Sequence, residues 1–311
     1  ENADAITTYI KGVFYTEYLE ALKVSVTIPS LSAVYDPDWQ TNQNLAKQAQ
    51  HMKDFFTKQA LVGATIEVLQ DPGKSPFIIV KVEPFDGEKS IQDTAHTVLL
   101  YGHLDKQPVG EGWTTDPWEP VIKDGKLYGR GGCDDCYAFF TAITAIKACQ
   151  VSKKKHARCV ITIEGSEEGD VDDLIYYLST YTAKLGNPDL LICLDAMAAI
   201  DNTASLTTTL RGVMQFELKA KIANNNIHSG MSGGVAPNPY WILNSLLGTL
   251  CDPKTQIVNQ QFHVEIPEFR KAECRYASSV LPPLFKGFDF LPGVKSLCTY
   301  ATSPEEEAYQ Q

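Results

Sequence analysis

Residues 98–135 read VLLYGHLDKQPVGEGWTTDPWEPVIKDGKLYGRGGCDD, and the rest of the chain is organised around them. The stretch opens on an apolar run over 97–101 that has the length and composition of a buried strand. The run breaks at Gly102-His103-Leu104-Asp105, and the stretch closes on the glycine-rich turn Tyr128-Gly-Arg-Gly-Gly-Cys-Asp-Asp135 with two adjacent acids. A histidine at a strand end, two residues from an aspartate, has the form of a metal ligand with its orienting carboxylate. Asp105 is placed to accept the second imidazole N–H and so fix the nitrogen that faces the ion. Asp134 or Asp135 returns from the far end of the loop as a further acid for the same ion.

Working outward, residues 6–24 and 38–59 carry apolar side chains at helical spacing. Residues 64–69 and 77–82 predict a pair of strands joined through Asp71-Pro-Gly-Lys-Ser-Pro76. After the glycine-rich turn come a helix over 136–150, an apolar strand over 157–164, a helix over 170–182 and an apolar strand over 189–194. Strands that are apolar throughout and alternate with helices predict an α/β fold, a mostly parallel sheet with helices on both faces. His103, Glu167-Glu168 and Asp195 then fall at C-terminal strand ends, with Asp134 in a turn leading into a helix. That edge is where open α/β sheets bind ligands. His51 and His96 lie away from it and are set aside as ligands.

From about residue 207 the pattern changes. Residues 207–223 alternate from Val213 as a half-exposed antiparallel strand would, and 239–250 predict a helix with Pro239 in its first turn. A boundary near 209 divides a catalytic domain (1–209) from a smaller α+β domain (210–311). Residues 303–307 have the makings of a further helix start.

Of the 311 residues, 44% are hydrophobic and 21% charged, and the net charge is -11, so a nucleic-acid partner is excluded on electrostatic grounds. The densest basic run, Lys153-Lys154-Lys155, has the character of a solvated helix end. No run reaches the roughly 18 apolar residues of a membrane helix, and the start shows no signal peptide. The eight cysteines are dispersed, which predicts reduced, buried thiols and a cytoplasmic protein. Cys133-Asp-Asp-Cys136 lacks the second pair that a structural zinc site needs.

Histidine with several carboxylates and no thiolate suits Zn²⁺ or Mn²⁺, and this many carboxylates favours a two-metal site bridged by an aspartate. Glu167-Glu168 divides naturally: one carboxylate binds metal, and its neighbour takes a proton from water and passes it to a leaving amine.

These motifs, with Gln107-Pro108, Gly112-Trp113, Asp124-Gly-Lys-Leu-Tyr-Gly-Arg-Gly131 and His228-Ser-Gly230 with Gly233-Gly234, resemble the dizinc metallopeptidase family of carnosinase and cytosolic non-specific dipeptidase, which also holds glutamate carboxypeptidase and aminoacylase. The resemblance implies a zinc-exopeptidase fold, a lid domain that forms a homodimer, and hydrolysis of dipeptides by metal-activated water. It implies His103 and Asp195 on one metal, Glu168 on the other and Asp134 bridging both. Asp105 would orient His103, Glu167 would be the general base, and the bond between Asp134 and Asp135 would be cis. His228 would reach into the partner's site to stabilise the oxyanion.

Two departures accompany the resemblance. Cys136 and Tyr137 stand where the family usually has Lys and Gly, which alters the turn into the helix. The family's last metal histidine and its carboxylate-binding arginine have no counterpart after His228. The second metal site and the lid are therefore expected to be incomplete, as in an N-terminal part of a dipeptidase that either is completed by a separate fragment or is inactive as it stands. The rival readings are a relative kept for binding or dimerisation, an aminoacylase or carboxypeptidase of the same fold, and a serine hydrolase using Ser232 of Gly230-Met-Ser232-Gly-Gly234 with Asp252 and His263.

Overall fold

A computed structural model describes residues 2–92, 96–196, 203–280 and 290–294. The chain divides into two compact units, Glu1–Met197 and Ala198–Gln311.

The first unit is a mixed five-stranded sheet with helices on both faces, as the α/β reading expects. Its strands are β1 (Ala64–Leu69), β2 (Phe77–Val82), β3 (Thr97–His103), β6 (Arg158–Glu164) and β7 (Leu190–Cys193), in the order β1-β2-β6-β3-β7. Strands β6, β3 and β7 run parallel, while β2 lies antiparallel to both β1 and β6. Two short strands, β4 (Val121–Lys123) and β5 (Lys126–Tyr128), form a separate hairpin in the loop after β3.

The period-two alternation of the central strands explains the two covered faces. Ile78, Val80, Val82, Ile161 and Ile163 point to one side, against Leu22, Leu45, Met52, Phe55, Phe140 and Ile143. These come from helices α2 (Leu19–Thr27), α4 (Asn44–Gln59) and α5 (Tyr137–Val151). Phe77, Ile79 and Val160 point the other way, against Tyr177 of α6 (Asp172–Thr180) and Leu185 of α7 (Thr182–Leu185). The Tyr177 hydroxyl donates to the Ser75 carbonyl at 2.9 Å, and Asp173 accepts from the Ser75 amide at 2.8 Å, so α6 is tied to the β1–β2 turn.

Several expectations need correction. The first helix is α1 (Asn2–Val13) and α2, joined by one π-helical turn at Phe14–Tyr18. The second is split into α3 (Trp39–Asn42) and α4 at Gln43, whose φ of +60° interrupts the helix. Edge strand β7 is not buried: Leu190 is 52% and Leu191 60% exposed, and Cys193 is exposed as well. Cys133 is also exposed, so the thiols are not uniformly buried; among the described cysteines all are free.

The second unit contains α8 (Ser229–Ser232), α9 (Pro239–Leu250) and α10 (Glu268–Val280). Asn238 caps α9 by accepting from the Tyr240 amide at 2.9 Å, with Pro239 in the first turn as expected. The expected strand over 207–223 is absent. Its alternating pattern finds no ladder among the described residues, and Val213, Met214 and Phe216 stand exposed. Residues 303–307 lie outside the described residues.

Candidate metal centre

Three parallel strand ends build the centre. His103 closes β3 and pairs in register with Glu164 at the end of β6. The chain leaving β6 turns through Gly165-Ser166 into Glu167-Glu168, and the chain leaving β7 reaches Asp195 two residues on. Asp134 and Asp135 sit in the turn before α5, and the peptide bond between them is cis. Gly102 lets that turn approach. A Cβ there would lie 2.5 Å from the Ala138 Cβ and 2.7 Å from Asp135 Oδ2.

His103 is buried, and both of its ring nitrogens are engaged. Nδ1 lies 3.0 Å from the Asp105 carbonyl oxygen and 3.3 Å from Asp105 Oδ1. Nε2 faces outward, 3.0 Å from Asp134 Oδ1 and 3.8 Å from both Glu167 Oε2 and Asp195 Oδ2. The Asp105 carboxylate does more than face the ring: it accepts the backbone amides of Glu167 at 3.2 Å and Glu168 at 3.0 Å. One buried acid thus fixes both the imidazole and the turn carrying the glutamates. Asp135 accepts the His103 amide through Oδ2 at 3.1 Å, while its Oδ1 is buried with no partner.

Around this frame, Gln107 donates to Glu168 Oε2 at 2.7 Å. Lys106 is wholly buried and donates to the Ser25 and Ile28 carbonyls at 2.6 and 2.7 Å, where it closes the C-terminal end of α2. Gly131, with a φ of +83°, presses on the Lys106 stem, where a Cβ would meet Cε at 2.3 Å.

The electrostatics are those of an anionic pocket. Burial would lower the His103 pKa, but its bonds to Asp105 and Asp134 outweigh that and push it up to about 12. The bond to His103 holds Asp134 below its usual range. Burial, with like charge nearby, raises Glu167, Glu168 and Asp195, and takes Asp135 up to about 8. Burial pushes Glu164 up to about 7, against the lowering effect of the bond it accepts from the Tyr101 hydroxyl. Carboxylates crowded this way hold protons unless a cation replaces them.

Two donor sets have the chemistry for that cation. His103, Asp134 and Asp195 offer ligand atoms within 4.8 Å of one another, and so do His103, Glu167 and Glu168. Imidazole nitrogen and carboxylate oxygen with no sulfur fit Zn²⁺ or Mn²⁺. The first set is the trio drawn from the sequence for one ion. The second groups Glu168 with Glu167 and His103 rather than with Asp134.

His228 lies in the second unit. It caps α8, with Nδ1 accepting from the Gly230 amide at 3.1 Å. The serine-hydrolase reading finds no support in that unit. Ser232 Oγ lies 3.5 Å from the Ser229 carbonyl and His263 Nε2 donates to the Val258 carbonyl at 3.0 Å. Asp252 accepts from the Lys254 and Thr255 amides. Each of the three is thus engaged with its own neighbouring backbone, and no strand precedes the serine among the described residues of this unit.

The sequence reading overlooked the amide bonds of Asp105, the Gln107–Glu168 bond, buried Lys106 and the Tyr101–Glu164 pair. Only Gln107 carried a signal, as part of the Gln107-Pro108 motif.

Residues 99–230 match the family model described as Peptidase family M20/M25/M40. The chain is 28% identical over 265 residues to human Beta-Ala-His dipeptidase, covering 83% of this chain and 51% of that protein. It is 26% identical over 271 residues to the Cys-Gly metallodipeptidase dug1 of Schizosaccharomyces pombe, covering 83% and 54%. Its fold is shared with the M20 family metallo-carboxypeptidase Sso-CP2 from Sulfolobus solfataricus at a TM-score of 0.65 and 20% identity, over 94% of this chain and 62% of that one. The chain spans about half the length of the curated relatives it matches. The resemblance to the dizinc metallopeptidases drawn from the motifs is borne out by these matches.

Proposed function

We propose that this chain is the metal-binding part of an M20-type metallopeptidase that hydrolyses dipeptides. The observation carrying the reading is the convergence of two His/Asp/Glu donor sets, each spanning no more than 4.8 Å, at the rim of three parallel strands. In this reading His103 and Asp195 would hold one ion and Glu168 a second, with Asp134 available to both. Residues 1–209 form the catalytic part and 210–311 the lid. Divalent ions held there would supply Lewis acidity to a water and to the peptide carbonyl.

The chain's own residues do the rest. Asp105 holds the His103 ring and the Glu167-Glu168 turn in place. Glu167, whose carboxyl burial raises, takes the proton from the attacking water and delivers it to the leaving amine. His228 is assigned the oxyanion, reaching a neighbouring subunit's site through a lid-mediated homodimer. Free thiols at all described cysteines support a cytoplasmic setting, and no helix among the described residues is long and apolar enough to cross a membrane.

The test is hydrolysis of a dipeptide panel by the purified protein with Zn²⁺ or Mn²⁺ added back after chelation. Expected is activity that chelation abolishes and metal restores. Chelator-resistant turnover, or bound metal with cleavage of N-acyl amino acids alone, would overturn the dipeptidase assignment.

A further inference from the structure

Cys136-Tyr137 departs from the family pattern at the start of α5, and the structure gives the tyrosine an employment that a glycine lacks. The Tyr137 ring and Leu194 both pack on the main core cluster, which brings the phenol to the exit of β7. There its hydroxyl donates to the Leu194 carbonyl, and the Ala196 carbonyl lies 3.4 Å away. Those carbonyls flank Asp195. The Ala196 amide also donates to the Leu194 carbonyl at 3.0 Å, which closes a three-residue turn with Asp195 at its centre.

Among the described residues, the turn's other hold is the contact between the Cys193 sulfur and the Asp195 backbone. Among the described residues β7 is the sheet edge and pairs with β3 alone; its ladder ends where the Leu194 amide donates to the Tyr101 carbonyl at 3.0 Å. Asp195 comes one residue later, beyond sheet support on either side. Glu167 and Glu168, by contrast, have buried Asp105 beneath their amides. We propose that Tyr137 is a positioning residue for Asp195: its hydroxyl clamps the turn that holds the Asp195 carboxylate 3.8 Å from His103 Nε2. The proposal rests on reading Asp195 as a metal ligand. Groups that orient ligands are typically worth about ten- to a hundredfold in metal affinity.

The test compares Zn²⁺ affinity, by competition with a chromophoric chelator, in the intact protein and in Tyr137→Phe, Asp195→Asn and the double variant. The metal-free melting temperature is recorded for each. Expected for Tyr137→Phe is roughly tenfold weaker binding or more, with the metal-free melting temperature nearly unchanged. Asp195→Asn should weaken binding further, and adding Tyr137→Phe to it should change nothing more. An affinity loss that persists in the Asp195→Asn background would overturn the proposal, as would a weakened Asp195→Asn beside an unaffected Tyr137→Phe. A metal-free Tyr137→Phe protein that melts many degrees lower would make the hydroxyl a bond of the fold instead, and would overturn the proposal equally. An Asp195→Asn protein that binds Zn²⁺ as before would remove the ligand reading itself, and the clamp with it.

Discussion

Strands β6 and β7 deliver acids to the same rim and are built in opposite ways. β6 lies between β2 and β3 with its interior fully buried, and the glutamates after it are pinned by a buried carboxylate. Among the described residues β7 has one neighbour and exposed leucines, and the aspartate after it is held by a turn and a phenol. The difference teaches that one centre has a stiff side, made by the sheet, and a compliant side, made by side chains reaching across to it.

The sharpest way to break this comparison is at Glu167. Glu167→Gln should lower kcat by about 10²–10⁴-fold with metal content intact, measured by steady-state kinetics beside elemental analysis. Metal loss in that variant would instead make Glu167 a ligand, as its grouping with His103 and Glu168 permits.

Next in size is Asp105→Ala, which removes the pin of the stiff side. It strands the two backbone amides of Glu167 and Glu168, at about 1–3 kcal/mol for each that stays buried and unsatisfied, while the His103 ring N–H keeps the Asp105 backbone carbonyl 3.0 Å away. Denaturant unfolding of the metal-free protein should show the loss, and titration should show weaker metal binding in parallel. A stable Asp105→Ala protein would mean that the turn holds itself.

The strands can be compared directly. Ile161 is fully buried in β6, so Ile161→Ala should cost about 2–5 kcal/mol in chemical unfolding. Leu191→Ala on exposed β7 should stay within about 1 kcal/mol. Equal costs would erase the distinction.

The smallest effect is in pH. Folding raises Glu164 from 4.5 to about 7 and Asp135 from 3.8 to about 8, so the folded metal-free protein binds more protons than the unfolded chain. Their contribution is complete below about pH 4 and is lost as pH rises through 7 to 8. Melting temperatures of the metal-free protein should therefore fall across that window, and saturating metal should flatten the trend.

Much of the stiff side was legible in the sequence. Phe77–Val82 and Arg158–Glu164 carry apolar residues on both faces of a two-residue period, Ile78, Val80, Val82, Cys159, Ile161 and Ile163 on one and Phe77, Ile79 and Val160 on the other, as a strand covered on both sides requires. The acids after the strands announced a rim. The compliant side was not legible, because LLIC of β7 reads like the interior of a sheet and only strand order makes it an edge. Nor do letters show that Asp105 accepts distant backbone amides, or that Tyr137 reaches the Leu194 carbonyl. Residues 207–223 fail for a related reason: alternation marks a strand only where a partner supplies hydrogen bonds.

Gly102 has a bearing on how natural variants of this chain are to be judged. A single methyl group there would wedge the start of α5 away from β3 and shove the Asp135 carboxylate off the His103 amide. A genome whose copy carries alanine at that position would retain every candidate ion-holding letter and still encode a misassembled centre, so checklists of proposed ligands alone would score a broken gene as intact.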